Sequence, residues 1–465
     1  MFSVKLFAPK DVEMDELSLF DVIRMAQWAG SKCYNEDHDA QFKNFEKINV
    51  EQSLWKTGHH TTIQHAPHYL TFDIENIPVS MVTFGLHMTH PFYNSSQRSG
   101  RFCLDIFGKD ESSYVEYINS FLSRFFPHCK NPESISDWFL SGLRFFNDNI
   151  DEATTLVRKS IDTERPNYLL NKDILAKRMA QDFMRVFIST IVPTGLVYTI
   201  NIPTLYAMCA SAWNGPMIGL MDQLEDTFST KYNVSFKKQI RQTHPNYVPD
   251  FLNFDDFNNC VVNRVNVELS YYDKYVDRQI EFLDAYHKDA ETSSGSIDTL
   301  FFNPLLTSRM NDDSNFGVTV DVPTVTYGQD QRHRTIRRSN PSFTGMFYVS
   351  ELINTLPGVR KFAQSFMMRY KELVLLHGKD MMLFFAPYGA VVRYTKECDA
   401  RAYVHAINKR LCFNAEKTIH DMEVATLAQI SGSLNVGPPC FNGSCKEGNR
   451  FCGRNVQDKK QRSLI

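Results

Sequence analysis

The chain has 465 residues, 43% hydrophobic and 22% charged, with a formal net charge of −3. That is a globular composition with material for two or three domains, and its near-neutral balance argues against a general nucleic-acid binder. No run approaches the roughly 18 apolar residues of a membrane span, the opening MFSVKLFAPKD lacks the apolar stretch of a secretory signal, and ten cysteines scattered from Cys33 to Cys452 suit reduced thiols, so a cytoplasmic protein is expected.

In chain order, apolar spacing predicts a helix over 16–34, closing near Gly30. A histidine-rich turn, GHHTTIQHAPH, follows at 58–68, and YLTFDI at 69–74 reads as a strand. Pro78 then leads into an apolar stretch at 79–86, read as a second strand. Residues 112–126 and 172–192 read as helices. The stretch 230–300 is polar and ends in the Ser/Gly cluster HKDAETSSGSID, which suits a loop between two halves. FGVTVDVP at 316–323 reads as a strand, Pro323 is followed by a further strand, and 357–384 and 398–430 read as helices.

The two halves share an order of events. TFDIENIPVSMVTFGLHMTHPFYNSSQRSGRF and VTVDVPTVTYGQDQRHRTIRRSNPSF both run strand, proline, strand and a Ser/Arg-rich turn. IVPTGLVYTINIPTLYAM at 191–208 and FAPYGAVVRYTKECDARAYVHA at 385–406 extend the parallel. A diverged tandem duplication is expected: an α+β fold of two related lobes, each a mostly antiparallel sheet packed with helices. The first copy would span 1–230, an insertion 231–300, the second copy 301–432, and a cysteine-containing tail 433–465.

The segment QDQRHRTIRRSNPS, 329–342, gathers four arginines and a histidine in a slightly acidic chain. Guanidinium groups bind phosphates as planar donor forks and stack on flat rings. On an extended backbone Arg332 and Arg334 would point one way and His333 the other. Within the segment only Asp330 is acidic, so a ligand with phosphates and flat rings is favoured over a solvated basic loop.

Arg332-His333-Arg334, seven residues and then Ser342, with Gln329 three positions ahead, resembles the signature of flavin-dependent thymidylate synthases. AQWAGSKCY, GHHTTIQHAPHYLTF with His65, and Ser99-Gly100-Arg101-Phe102 resemble that family in the first half. Pro387, Asp399, Arg401 and Arg410 resemble it in the second. The resemblance implies transfer of a one-carbon unit from methylenetetrahydrofolate to C5 of dUMP through FAD, with NADPH as reductant and no cysteine nucleophile; no Cys/His constellation stands out in the sequence. It implies FAD binding at Arg332, His333, Arg334, Ser342 and His65, and binding of a pyrimidine deoxynucleotide monophosphate at Ser99, Arg101, Gln329 and Arg401. Gln329, Arg401 and Arg410 would serve the chemistry. Active sites between subunits of a homotetramer imply that two fused chains, a homodimer, rebuild a pseudo-tetramer.

The departures matter as well. Thr89-His90-Pro91 stands where the first copy should carry R-H-R, and Ser342-Phe343-Thr344-Gly345 lacks the closing arginine that the first copy keeps as Arg101. Asp399 stands where the family has Asn, and a further arginine of the family would fall near Ala428. Other substrates of the same chemistry, a non-catalytic nucleotide- or flavin-binding paralogue, and a single-strand binder using arginines and aromatics are the alternatives. Plain structural roles compete at single residues: a core or capping place for His65, a helix N-terminus for Asp399 and Arg401, a helix-face ion pair for Arg410, an ordinary turn for Ser99. Cys440, Cys445 and Cys452 lack the tight pairs of common zinc sites, yet three thiolates could hold zinc or an iron–sulfur cluster with a fourth ligand.

Overall fold

The computed structural model describes residues 2–6, 29, 32, 70–88, 93–103, 106–108, 110–200, 205, 208–209, 212, 215–232, 261–273, 276–278, 280–281, 283–285, 315–430, 436–441, 445, 447–448, 451–454 and 465. Apart from Ala29 and Lys32, the helix expected at 16–34 lies outside the described residues, as do the histidine-rich turn with His65 and Thr89-His90-Pro91.

The first half begins with β1 (Ser3–Leu6) and β2 (Leu70–Pro78). Leu70, Phe72 and Ile74 alternate into the core of β2, the two-residue period of a half-buried strand. After Pro78 the chain forms α1 (Val79–Met81), which continues as a π turn over Val82–Leu86. Then come β3 (Tyr93–Gln97), α2 (Glu111–Phe125), the 33-residue α3 (Pro132–Glu164), α4 (Lys172–Met184), β4 (Pro193–Ile200) and α5 (Gly215–Tyr232).

The second half contains β5 (Val261–Val262), β6 (Asn266–Tyr272), β7 (Asn315–Pro323), α6 (Thr324–Asp330), β8 (Arg337–Arg338) and β9 (Ser342–Tyr348). It closes with α7 (Val359–His377), α8 (Lys379–Met382), β10 (Ala390–Asp399), α9 (Ala400–Arg410) and α10 (Lys417–Ile430). Residues 261–272, in the stretch expected as an insertion, supply two strands of the second sheet.

The fold is thus α+β with antiparallel sheets, apart from the short parallel pairing of β5 with β9. The first sheet runs β1-β2-β4-β3 and the second runs β6-β7-β10-β9-β5. Pro78 pairs with Pro193 in the first, and Pro323 pairs with Val391 in the second. The buried apolar residues of both sheets form one continuous core.

Two expectations give way here. The strands expected after Pro78 and Pro323 are helical. Both prolines cap their helices in extended conformation, at φ −57° and −63°; the run after Pro78 is buried throughout and the run after Pro323 at every position but Gly328 and Gln329. Such runs carry no periodicity that separates strand from helix. The helix expected over 172–192 ends at Met184, and a 3₁₀ turn over Arg185–Phe187 leads to β4.

The halves meet in two crossings. Ser189 bridges Pro387 in antiparallel fashion, flanked by Tyr388 N–H donating to the Ile188 carbonyl at 2.9 Å and Thr190 N–H to the Ala386 carbonyl at 2.8 Å. At the other crossing Gly328 faces Thr83, and Phe84 lies 6.2 Å from the Tyr327 ring. Helices α3 and α7 pack alongside, with Trp138 stacked 4.7 Å from Phe366 and Phe145 3.9 Å from Phe362. Gly142 sits in this seam, where an added Cβ would penetrate the Phe187 carbonyl oxygen and come within 2.8 Å of Phe366 Cζ. Gly142→Ala should therefore destabilise the protein by about 1–3 kcal/mol through overpacking. A denaturant midpoint equal to that of the unsubstituted chain would refute this.

Candidate functional site

The arginine-rich segment begins as α6 ends. Main-chain bonds from Gln331 to Tyr327, Arg332 to Gln329 and His333 to Asp330, each 3.1 Å, turn the chain sharply instead of leaving it extended. Arg338 locks that turn. Its Nε donates to Asp330 Oδ2 at 2.7 Å, its Nη2 to the Asp330 carbonyl at 2.6 Å, and its Nη1 to the carbonyls of His333 and Ile336 at 2.9 and 2.8 Å. Asp330 also accepts from the Tyr394 hydroxyl at 2.9 Å. Beneath it Lys396 donates to Glu423 at 2.6 Å and stands 3.7 Å from Asp330. All four charged side chains are nearly or fully buried.

The turn sends Arg332 and Arg334 across to β3 of the other half. Arg332 Nη2 donates to the Ser95 carbonyl at 2.8 Å. Arg334 Nη2 donates to Asn94 Oδ1 at 2.7 Å, and its guanidinium lies 4.5 Å from the Tyr93 ring centroid. His87 completes this face, stacked 5.2 Å from Tyr93 with Nε2 2.8 Å from Ser95 Oγ. His333 goes elsewhere, its ring 5.5 Å from that of His405. The separation of the two arginines from His333 holds, although the backbone is a turn.

Arg410, at the end of α9, donates from Nη2 to the Gln329 carbonyl at 2.7 Å, and burial pushes its pKa down to about 10. It is a buried tie to the arginine-rich segment, not a surface ion pair. Arg410 Nε and Gln329 Nε2 are both buried donors without a hydrogen-bond partner among the described residues. Arg401 stands in the first turn of α9, where Asp399 caps the helix by accepting from Ala402 N–H at 2.7 Å.

Ser342 is placed apart from the motif arginines. It opens β9, with Oγ 3.5 Å from the Arg393 carbonyl, because β8 and the 339–341 stretch carry the chain back along β10. Ser99 forms a turn, its Oγ accepting from Arg101 N–H at 3.2 Å and its carbonyl from Cys103 N–H at 3.0 Å. Arg101 stands with Nε 2.9 Å from Asp182 Oδ2 and donates from Nη2 to the Asn414 carbonyl at 3.1 Å. Arg165 also reaches this loop, donating to the Phe413 carbonyl at 2.8 Å. Glu416 joins the two regions: it accepts from Thr418 Oγ1 at 2.6 Å and from Thr326 of α6 at 3.5 Å, and burial and then Asp182 raise its carboxyl pKa.

Among the described residues no three His, Cys, Asp or Glu side chains are grouped to hold a metal ion. No described helix is long and apolar enough to cross a membrane. His87, Tyr93, Asn94, Ser95, Asp182 and Arg165 escaped the sequence reading. The polar run YNSSQ was the available signal for three of them, since a strand of small polar residues that is buried must face partners.

The two histidines carry a pH consequence. Burial, and then Arg332 and Arg334, hold His87 well below its ordinary 6.5; burial, and then Arg410, do the same for His333. As pH falls below about 6.5 the unfolded chain takes up protons that the folded chain refuses, so stability declines by at most about 1.4 kcal/mol per pH unit for each histidine. Urea midpoints at about pH 7.5 and about pH 5.5 should differ less in His87→Gln than in the unsubstituted chain. An identical difference would refute the assignment for His87.

Arginine side chains and buried donors are thus gathered where the second half meets β3. Residues 20–214 match the model of the Thy1 family, described as thymidylate synthase complementing protein. Over that span the chain is similar to the Thy1 family, which is the family read from the sequence. The matched residues end before the arginine-rich segment, and no curated protein matches the chain.

Proposed function

We propose that the chain is a flavin-dependent thymidylate synthase-like enzyme built from two diverged copies of one unit. The duplication is supported by the like strand orders β1-β2-β4-β3 and β6-β7-β10-β9. It is also supported by contacts between corresponding positions. Thr83 and Gly328 each stand five residues beyond their proline, and Ser189 and Pro387 each stand four before the paired residues Pro193 and Val391. Contact between like positions is the mark of a two-fold relation.

The observation that carries the ligand reading is the pair of buried donors, Gln329 Nε2 and Arg410 Nε, that lack a partner among the described residues, beside a turn from which Arg332 donates to the Ser95 carbonyl. Buried donors without acceptors are rare, and an anionic ligand fits them. In this reading Arg332, His333 and Arg334 hold FAD, which supplies the hydride and one-carbon chemistry when bound. NADPH and methylenetetrahydrofolate are co-substrates, and dUMP is held by Gln329 and Arg401, with its phosphate at Ser99 and Arg101. A cytoplasmic homodimer forming a pseudo-tetramer belongs to the same reading.

A second reading, a paralogue that binds nucleotide without turnover, is favoured by the ion pair of Arg101 with Asp182, which already occupies the expected phosphate arginine. One assay separates them: flavin absorbance of the purified chain, followed by product formation from dUMP, UMP and dCMP with the folate and NADPH. Flavin with deoxythymidylate formation supports the enzyme. Nucleotide binding without any product selects the binding paralogue, no flavin affinity refutes the enzyme, and no affinity for either flavin or nucleotide refutes both.

The same ion pair sets the expectation for Arg101→Ala. It should weaken nucleotide binding roughly tenfold while FAD stays bound, since a charge-assisted contact contributes about 1.5–3 kcal/mol. Titration of nucleoside and monophosphate in matched salt checks this, and unchanged monophosphate affinity would leave the first half a structural partner only.

A further inference from the structure

Far from the arginine-rich turn, where α7 of the second half ends against the start of α3, three side chains form an ordered chain of contacts. Cys129 Sγ lies 3.7 Å from His377 Nδ1, and His377 Nε2 lies 3.3 Å from Ser134 Oγ. The hydroxyl proton of Ser134 is committed, because Oγ donates to the Asn131 carbonyl at 2.8 Å. Ser134 can therefore only accept from His377, which puts the imidazole proton on Nε2 and leaves Nδ1 as a lone-pair acceptor facing the thiol. Ser134 is buried and its backbone N–H is bound to Asn131 Oδ1 at 3.2 Å, so the group that orients the ring is itself fixed by a helix cap. Cys129 is half-buried.

We propose that Cys129, His377 and Ser134 form a reactive-thiol site that undergoes exchange with low-molecular-weight disulfides. A nucleophile beside a base that a third group orients is the arrangement that activates side chains for attack. Burial, and then Arg369, lower the pKa of His377, which keeps the ring neutral and able to accept a proton near neutral pH. In the step, the Cys129 proton passes to His377 Nδ1 and the thiolate attacks one sulfur of the disulfide. A bond forms from Cys129 Sγ to that sulfur as the disulfide S–S bond breaks. The departing thiolate takes the proton from Nδ1. The Cys129 sulfur is oxidised and the departing sulfur reduced, so no other oxidant is required. The site spans the two halves, with Cys129 and Ser134 from one and His377 from the other, and it is separate from the residues assigned to flavin and nucleotide.

The test is the rate of Cys129 modification in the full chain near neutral pH, followed by peptide mass, with iodoacetamide and with oxidised glutathione as probes. Cys445, also half-buried, reports on general reactivity in the same sample. Cys129 should react faster than Cys445 with both probes. His377→Ala should slow Cys129 roughly tenfold or more, below the roughly hundredfold at which general-base assistance usually begins, while Cys445 is unchanged. Ser134→Ala should slow Cys129 by a smaller factor, since the base remains but its tautomer is no longer fixed. Rates at Cys129 within about twofold in the unsubstituted chain and His377→Ala overturn the proposal. Rapid alkylation without a glutathione adduct overturns the disulfide assignment.

Discussion

Replacing Lys396 with alanine should lower the unfolding free energy by about 3–5 kcal/mol, the scale of breaking a buried ion pair from one side. The lysine points to the inner face of β10, where neighbouring inward positions are Val392, Tyr394 and Cys398. It is 1% exposed and its partner Glu423 is fully buried, so the substitution leaves a carboxylate in the core without its ammonium. Burial works against the charge on Lys396, but Asp330 and Glu423 more than offset it, and its pKa is raised overall. The lost energy belongs to the stranded charge as much as to the pair. Lys396→Met combined with Glu423→Gln should therefore recover much of the loss, a coupling that a double-mutant cycle in guanidinium reads directly. A single variant with an unchanged midpoint would show that water already reaches this network.

The second large effect is on ligand affinity. If Arg332 and Arg334 hold flavin phosphates, each contributes about 1.5–3 kcal/mol, so each alanine variant should bind FAD roughly tenfold or more weakly and the pair a hundredfold or more. Both arginines also tie the turn to β3, through Ser95 and Asn94. Urea midpoints must accompany the titrations, to separate lost phosphate contacts from a loosened seam. Arg337, an exposed neighbour on β8, is the internal control and should bind FAD normally as alanine. Arg338→Ala should fail differently, by unlocking the turn that Asp330, His333 and Ile336 share with it. Full flavin affinity in both Arg332→Ala and Arg334→Ala would remove the flavin from this segment.

The sequence revealed what periodicity and composition can carry. The alternation of β2 and β7 was plain, and so was the concentration of arginines after Gln329. Their partners were not, because Arg332 and Ser95 are separated by 237 positions and Arg334 and Asn94 by 240. Nothing local in YNSSQ names the residues that fold against it. The same distance hid the Cys129–His377 contact, 248 positions apart. Helix α3 escaped notice although its buried positions Trp138, Phe139, Leu143 and Phe146 follow helical spacing. Its NDNIDE stretch, read locally, resembles a turn more than the middle of a helix. The helices after Pro78 and Pro323 were misread because short, largely buried runs leave no amphipathic signature.

The antiparallel crossing of Ser189 with Pro387 has a consequence during synthesis. The stretch around Ser189 leaves the ribosome about 200 residues ahead of the strand that covers it, an interval of roughly ten to forty seconds at ordinary elongation rates. Throughout that interval the nascent first half presents Phe84, Phe145 and Phe187 with their second-half partners not yet made. Such a chain cannot mature domain by domain. Its first half is finished only when the later half arrives to complete both.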